Sequence, residues 1–199
     1  MYVRDAKNRE EVWLLDHLEE LDLEDPAFRS RDYVIAVDEV TNEKAGFGRI
    51  RVHSEEPEVC ELDTIGVLPE WRGQGVGAHV IERLIGHAAD AGFDVVYSVT
   101  AAVEYLQQFG FEPAHSADVP AVMQDRLEEV RTYDDEAIIL AIDVDAFEVP
   151  EKLREAFKQA GRQNVTDPHP EPTSEETETL REEFGIDPDD ATYKYDTGS

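Results

Sequence analysis

The chain is poor in cations. Its 199 residues hold 18 Lys and Arg against 47 Asp and Glu, a formal net charge of −29. Lysine is confined to Lys7, Lys44, Lys152, Lys158 and Lys194. So acidic a chain has no general affinity for nucleic acid or anionic lipid. Cysteine occurs once, at Cys60, which excludes a disulfide framework or a cysteine-based metal cluster within one chain. His53, His79, His87 and His115 are scattered without metal-ligand spacing, so no metal is expected. No apolar run approaches the ~20 residues that span a bilayer. The N-terminal Met1-Tyr2-Val3-Arg4-Asp5 is charged and lacks the apolar stretch of a secretion signal. A soluble, cytoplasmic protein is expected.

What is present begins with the carboxylates, which are dense throughout the chain. In this the composition resembles that of proteins from salt-loving organisms, where concentrated cations screen the surface. Hydrophobic residues make up 41%, enough for a core, and the length suits one domain with an appendage.

The chain reads in order as follows. Tyr2 to Ala6 is a short strand. Glu10 to Leu21 has helical spacing, with Val12, Leu15 and Leu18 on one stripe, and Pro26 closes that region. Strands follow over Asp32–Val37, Ala45–His53 and Val59–Leu68. A helix from Gly75 to Ala91 carries Val76, Val80, Leu84 and Ala88 at steps of four and stops at Gly92. Asp94–Val99 is a strand, Thr100 caps a helix over Ala101–Phe109, and Phe111–His115 starts another strand. An amphipathic turn runs through Val122 to Val130. Glu136–Val144 is a last strand, whose nearly unbroken apolar run implies burial on both faces. The character changes near Phe147: a short helix over Val149–Ala160, a proline-rich linker over Thr166–Thr173, and a charged helix from Ser174 to about Phe184. The end, Ala191 to Tyr195, alternates like a strand. Phe184, Ile186, Tyr193 and Tyr195 are apolar handles that allow docking on the domain or a homodimer.

One stretch organises the rest. The strand ending at Val67 runs through Leu68-Pro69-Glu70-Trp71 into Arg72-Gly73-Gln74-Gly75-Val76-Gly77-Ala78 and then the helix. Glycines there leave backbone N–H groups bare at the positive end of a helix dipole, a site for a phosphate or diphosphate. A P-loop is excluded, because no Gly-Lys-Ser/Thr follows. The dinucleotide fingerprint is met formally by Gly73, Gly75 and Ala78, but its acid should end the second strand and Asp94 begins one.

Arg72-x-x-Gly75-x-Gly77 after an apolar strand resembles motif A of the GNAT acetyltransferases, and Ala102–Phe111, ending Gln108-Phe109-Gly110-Phe111, is similar to that family's second helix and closing Gly-Phe. The resemblance covers roughly residues 1–147. It implies an α/β (α+β) GNAT fold: a mixed, mostly antiparallel sheet flanked by helices, followed by an acidic C-terminal extension over 148–199. It also implies acetyl-CoA as acetyl donor. Backbone groups of Arg72, Gly73, Gln74, Gly75, Val76, Gly77 and Ala78 would hold its diphosphate, and those around Ile65 and Val67 the pantetheine. The strand should splay from Asp94–Val99, with Gly66 placed for a bulge.

Transfer to an amine needs the amine neutral and a proton for the leaving thiolate. Strand alternation puts Glu61, Asp63, Ile65 and Val67 on one face. Glu61, six residues before Val67, matches the catalytic glutamate of the family's histone-acetylating branch; Asp63 is the second choice of base. The family's usual tyrosine position is Leu106 here, with Tyr105 one residue earlier. Val99-Thr100, Gly110-Phe111-Glu112-Pro113 and Val119-Pro120 resemble the acetyltransferase domain of N-acetylglutamate synthases. Arg126 and Arg131, or Arg49 and Arg51 on a strand beside the cleft, would then bind a substrate carboxylate. The expected function is transfer of an acetyl group to a primary amine, such as an amino acid or other small molecule, in a ternary complex. The alternatives are acetylation of a protein N-terminus or lysine, and a non-catalytic acyl-CoA-binding module.

Overall fold

The computed structural model describes residues 1–161 apart from 24, 26 and 116–118. Pro26 and everything expected beyond Gly161, from the proline-rich linker to the strand-like end, lie outside the described residues. Among the described residues no helix is long and apolar enough to cross a membrane.

Among the described residues seven strands form one sheet in the order β1-β2-β3-β4-β5-β7-β6. They are β1 (Tyr2–Asp5), β2 (Tyr33–Val37), β3 (Lys44–His53), β4 (Val59–Val67), β5 (Val95–Thr100), β6 (Glu112–Pro113) and β7 (Ile138–Asp143). Every neighbouring pair is antiparallel except β4 and β5. The helices are α1 (Glu11–Glu20), α2 (Val76–Asp90), α3 (Val103–Gln107), α4 (Ala121–Val130) and α5 (Glu151–Gln159).

Strand alternation divides the core between two faces. Val34 and Ala36 pack with α2, whereas Tyr33, Ile35 and Val37 join Leu14 and Leu18 of α1. On β7, Leu140 and Ile142 join the α2 side and Ile139 meets Met123 of α4, so this strand is buried on both faces as its apolar run predicts. The α1 stripe is shifted from the expected one. Leu14 and Leu18 are buried, while Val12 is 68% and Leu15 44% exposed. Helical spacing fixed the period; the angle was set by the sheet face that α1 covers.

Two features shape the centre of the sheet. First, β4 and β5 pair only through Cys60↔Val96 and Glu61↔Tyr97, and then part. Second, β3 and β4 slip register between Arg49 and Ile50, opposite Asp63. The expected bulge at Gly66 is therefore corrected: Gly66 pairs regularly with Phe47, whose ring fills the space of a Cβ there. The slip also reverses the alternation of β4. Ile65 and Val67 pack toward the cluster that holds α2, while Glu61 and Asp63 point to Arg126 of α4, so the four do not share a face.

Met1–Gly161 is one compact unit. Helix α5, placed by the sequence in the extension, packs on α2 within it: Phe157 stacks on His79 at 3.8 Å between ring centroids, and Arg154 pairs with Glu82 at 2.8 Å.

Candidate active site

The parting of β4 and β5 opens a cleft of about 580 Å³. Leu62, Asp63, Ile65 and Val67 line it from β4, and Ser98, Val99 and Thr100 from β5. Leu21 and Leu23 border it after α1. Ser98, which no sequence motif marked, donates from Oγ to the Leu62 carbonyl at 3.0 Å and so holds the point where the strands separate.

The cleft ends at the glycine loop. Gly73 and Gly75 both have φ of +74°, the left-handed region where a side chain is strained. Gly75 is the N-cap of α2. Among the described residues the N–H groups of Gly73 to Ala78 have no backbone partner, whereas that of Arg72, expected to join them, is taken by the Pro69 carbonyl at 3.3 Å. Arg72 Nε donates back to the Val67 carbonyl at 3.2 Å, and the Gln74 amide to the Glu70 carbonyl at 2.9 Å, which ties the loop to the end of β4. A diphosphate fits these residues: unpaired amides, the positive end of a fifteen-residue helix, and glycines with no side chains to fill the approach.

Two glycines here are also fixed by packing. A Cβ at Gly75 would overlap the Leu153 carbonyl of α5, and one at Gly77 would overlap the Tyr105 hydroxyl. Leu153 and Tyr105 both line the cleft. Tyr105 therefore reaches the head of α2 despite standing one residue from the position expected for a tyrosine; Leu106 in that position is buried. Burial raises the Tyr105 phenol above its ordinary pKa, so it stays protonated at neutral pH.

The acids and arginines singled out in the sequence converge, with one exception. Arg49 is buried, with Nη2 2.5 Å from Asp63 Oδ2 and 2.6 Å from Asp25 Oδ1. Arg51 reaches the same Asp63 oxygen at 3.2 Å, and its Nε is buried without a hydrogen-bond partner among the described residues. Arg126 donates from Nε to both Glu61 oxygens at 3.3 and 3.2 Å, from Nη2 to Asp63 at 3.3 Å, and from Nη1 to Glu129. Burial disfavours the Arg126 charge, but Glu61, Glu129 and Asp63 outweigh it and its pKa is raised. Arg131 stands apart and donates to the Ala137 carbonyl at 3.1 Å. Glu61 is 1% exposed, shares a 2.7 Å hydrogen bond with His53, and does not line the cleft; Asp63 does. Asp25, His53 and Leu153 were missed by sequence reasoning, because only the fold brings them to these partners. Among the described residues no group of three His, Cys, Asp or Glu side chains is arranged for a metal ion.

A mixed sheet that opens beside a glycine loop with free amides is the architecture of an acyltransferase that grips a nucleotide-bearing donor. Residues 2–111 match the model of the acetyltransferase (GNAT) family, and the chain belongs to this family. Among curated proteins it is similar to mycothiol acetyltransferase of Thermobifida fusca, 31% identical over 101 aligned residues, with 45% of this chain and 31% of that protein covered. The chain thus matches about a third of that relative's length. Among solved structures it is similar to N-acetylglutamate synthase from Neisseria gonorrhoeae complexed with coenzyme A and N-acetyl-glutamate, with a TM-score of 0.59, 16% identity, 71% of this chain and 34% of the other. A Mycobacterium tuberculosis protein in complex with CoA and NLQ gives a TM-score of 0.58 at 17% identity, over 72% of this chain and 99% of that one.

Proposed function

We propose that the protein is an N-acetyltransferase that moves the acetyl group of acetyl-CoA to the primary amine of a small molecule, with both substrates bound together. The observation that carries this reading is the continuous cleft from the parting of β4 and β5 to the unpaired amides at the head of α2. The coenzyme A or N-acetyl amino acid named with the solved relatives supports the donor and the acceptor class.

The N–H groups of Gly73 to Ala78 would hold the diphosphate, and the β4 edge at Ile65 and Val67, which lacks a strand partner on the β5 side, the pantetheine arm. Acetyl-CoA supplies a thioester carbonyl that a neutral amine can attack. Asp63, the carboxylate that lines the cleft, orients that amine and takes its proton. Glu61 acts behind it, fixing Arg126, which in turn holds Asp63. The protonated Tyr105 phenol, which also lines the cleft, donates to the departing thiolate.

Thiol release from acetyl-CoA, measured over amino acids, simple amines and peptides with free N-termini, tests this reading. Turnover with small amines is expected. Asp63→Asn should lower kcat by about 10²- to 10⁴-fold with coenzyme A affinity retained. Glu61→Gln should act mainly through a lower Tm, since it uncouples a buried ion pair. A Glu61→Gln protein that is stable yet as inactive as Asp63→Asn would move the base to Glu61. Coenzyme A binding without thiol release from any amine would make the protein a binding module.

A further inference from the structure

The cleft is charged unevenly along its length. Among the described residues Asp63 is its one lining carboxylate and Arg72 its one lining cation. Asp63 follows the point where β4 and β5 part, whereas Arg72 stands at the glycine loop and donates from Nε to the Val67 carbonyl. None of Arg49, Arg51, Arg126 and Arg131 lines the cleft, and each is bound to a carboxylate or carbonyl of the protein instead. An acceptor that reaches Asp63 therefore meets a negative charge and no lining guanidinium.

What it meets besides is apolar. Leu62 adjoins Asp63 in β4, and Leu21 and Leu23 border the cleft from the chain that leaves α1. That chain is held at both ends. Asp22 takes a φ of +55°, and the Leu23 N–H turns back to the Leu18 carbonyl at 2.8 Å, which wraps the end of the helix. Two residues further on, Asp25 accepts from the Tyr33 hydroxyl at 2.6 Å and shares Arg49 Nη2 with Asp63, at 2.6 and 2.5 Å. One guanidinium thus ties the segment of the two leucines to the carboxylate of the site. Leu21 and Leu23 also pack on the cluster of Leu14, Leu18 and Phe47, so this wall has a core behind it.

We infer that the acceptor is an amine on an apolar substituent that carries no carboxylate, and that Leu21 and Leu23 grip the substituent while Asp63 holds the amine. The inference rests on the acetyl-transfer reading and names its substrate class. A carboxylate on the same molecule would lie unpaired against leucines and beside Asp63, where both desolvation and repulsion oppose it. The surplus negative charge of the molecule acts in the same sense, because it attracts a cationic amine more than a zwitterion. In the reaction the amine nitrogen bonds to the acetyl carbon and the carbon–sulfur bond breaks. The proton of the nitrogen goes to Asp63, and Tyr105 protonates the thiolate. The product amide is neutral, so Asp63 no longer holds it by charge.

The test pairs each amino acid with the amine of the same side chain that lacks the carboxylate: norleucine with pentylamine, and phenylalanine with phenethylamine. Thiol release from acetyl-CoA is followed with the full chain in about 1 M KCl, where the Debye length is ~3 Å and only direct contacts survive. The amines should have kcat/KM at least about tenfold above their amino acids. From ethylamine to pentylamine, kcat/KM should climb about three- to fourfold per methylene. Leu23→Ser should flatten that climb through the acceptor KM at unchanged KM for acetyl-CoA, and Leu23→Arg should lift norleucine above pentylamine. Amino acids used as well as amines, no climb with length, or a climb that Leu23→Ser leaves intact would overturn the inference. If coenzyme A binds but no amine is acetylated, the transfer reading fails by itself. Binding to the coenzyme A complex then decides: saturable shifts of the Leu21 and Leu23 methyl resonances with pentylamine but not with norleucine support the apolar wall, and equal or absent shifts refute it.

Discussion

At the scale of single residues, Gly77 and Tyr105 constrain one another. Gly77 lies in the first turn of α2, where its N–H is one of the unpaired amides, and the Tyr105 hydroxyl occupies the place a Cβ would take. Alanine keeps the amide but crowds the phenol, an overpacking that costs roughly 1–3 kcal/mol. Gly77→Ala should therefore weaken coenzyme A binding about tenfold, and Tyr105→Phe in the same chain should restore most of it by removing the clashing oxygen. Tyr105→Phe alone should leave coenzyme A affinity intact and lower turnover. Titration calorimetry on the four proteins reads the coupling, and strictly additive losses would show that the two do not share that space. Cys60 gives a contrasting case. Burial, with Glu61 adjacent, pushes its thiol up to about 12, so the lone cysteine is a core residue with almost no thiolate at neutral pH.

At the scale of elements, the parts written in local pattern were legible. Three glycines two residues apart after an apolar strand announced the cradle, and the apolar run of β7 announced a strand covered on both sides. What depended on register or partner was not. Nothing local in Glu61-Leu62-Asp63-Thr64-Ile65 marks the slip against β3 that turns Asp63 toward α4 and Ile65 toward α2. Likewise the residues of α5 read as a helix, but not as a wall of the cleft, because its contacts with Gly75 and His79 span about two-fifths of the chain. This packing predicts behaviour. Burial holds His79 below its ordinary pKa, against the opposing pull of the Gly75 carbonyl and Glu82. The unfolded chain therefore takes up a proton that the folded chain resists. The stability tied to neutral His79, stacked on Phe157, is complete above about pH 6.5 and is lost as pH falls through the lowered folded value. The fall in Tm between about pH 7.5 and 5.5 should be smaller in His79→Gln than in the unaltered protein. An identical fall would show that α5 docks independently of this imidazole. Leu153→Asp, which places a charge in the cleft wall, should weaken coenzyme A binding about tenfold at unchanged kcat.

At the scale of the whole molecule, the two kinds of charge respond to salt in opposite degrees. The ion pairs around Asp63 are shielded from solvent, with side-chain exposure of 3% for Arg49 and 6% for Asp63, and mobile ions screen them little. Among the described residues most carboxylates are exposed, and their mutual repulsion opposes the compact state until it is screened. Adding salt therefore relieves the repulsion while leaving the site's own network in place. Tm should rise by about 10 °C or more between roughly 0.1 M and 3 M KCl, most steeply below about 0.5 M, where the Debye length shrinks fastest. Salting-out strengthens burial too, and a charge variant separates it from screening. Neutralising Asp16, Glu19, Asp125 and Glu128, exposed residues on α1 and α4, should raise Tm in dilute salt and leave it unchanged in concentrated salt. A Tm indifferent to KCl, or a variant equally stabilised at both extremes, would mean that self-repulsion does not limit this fold.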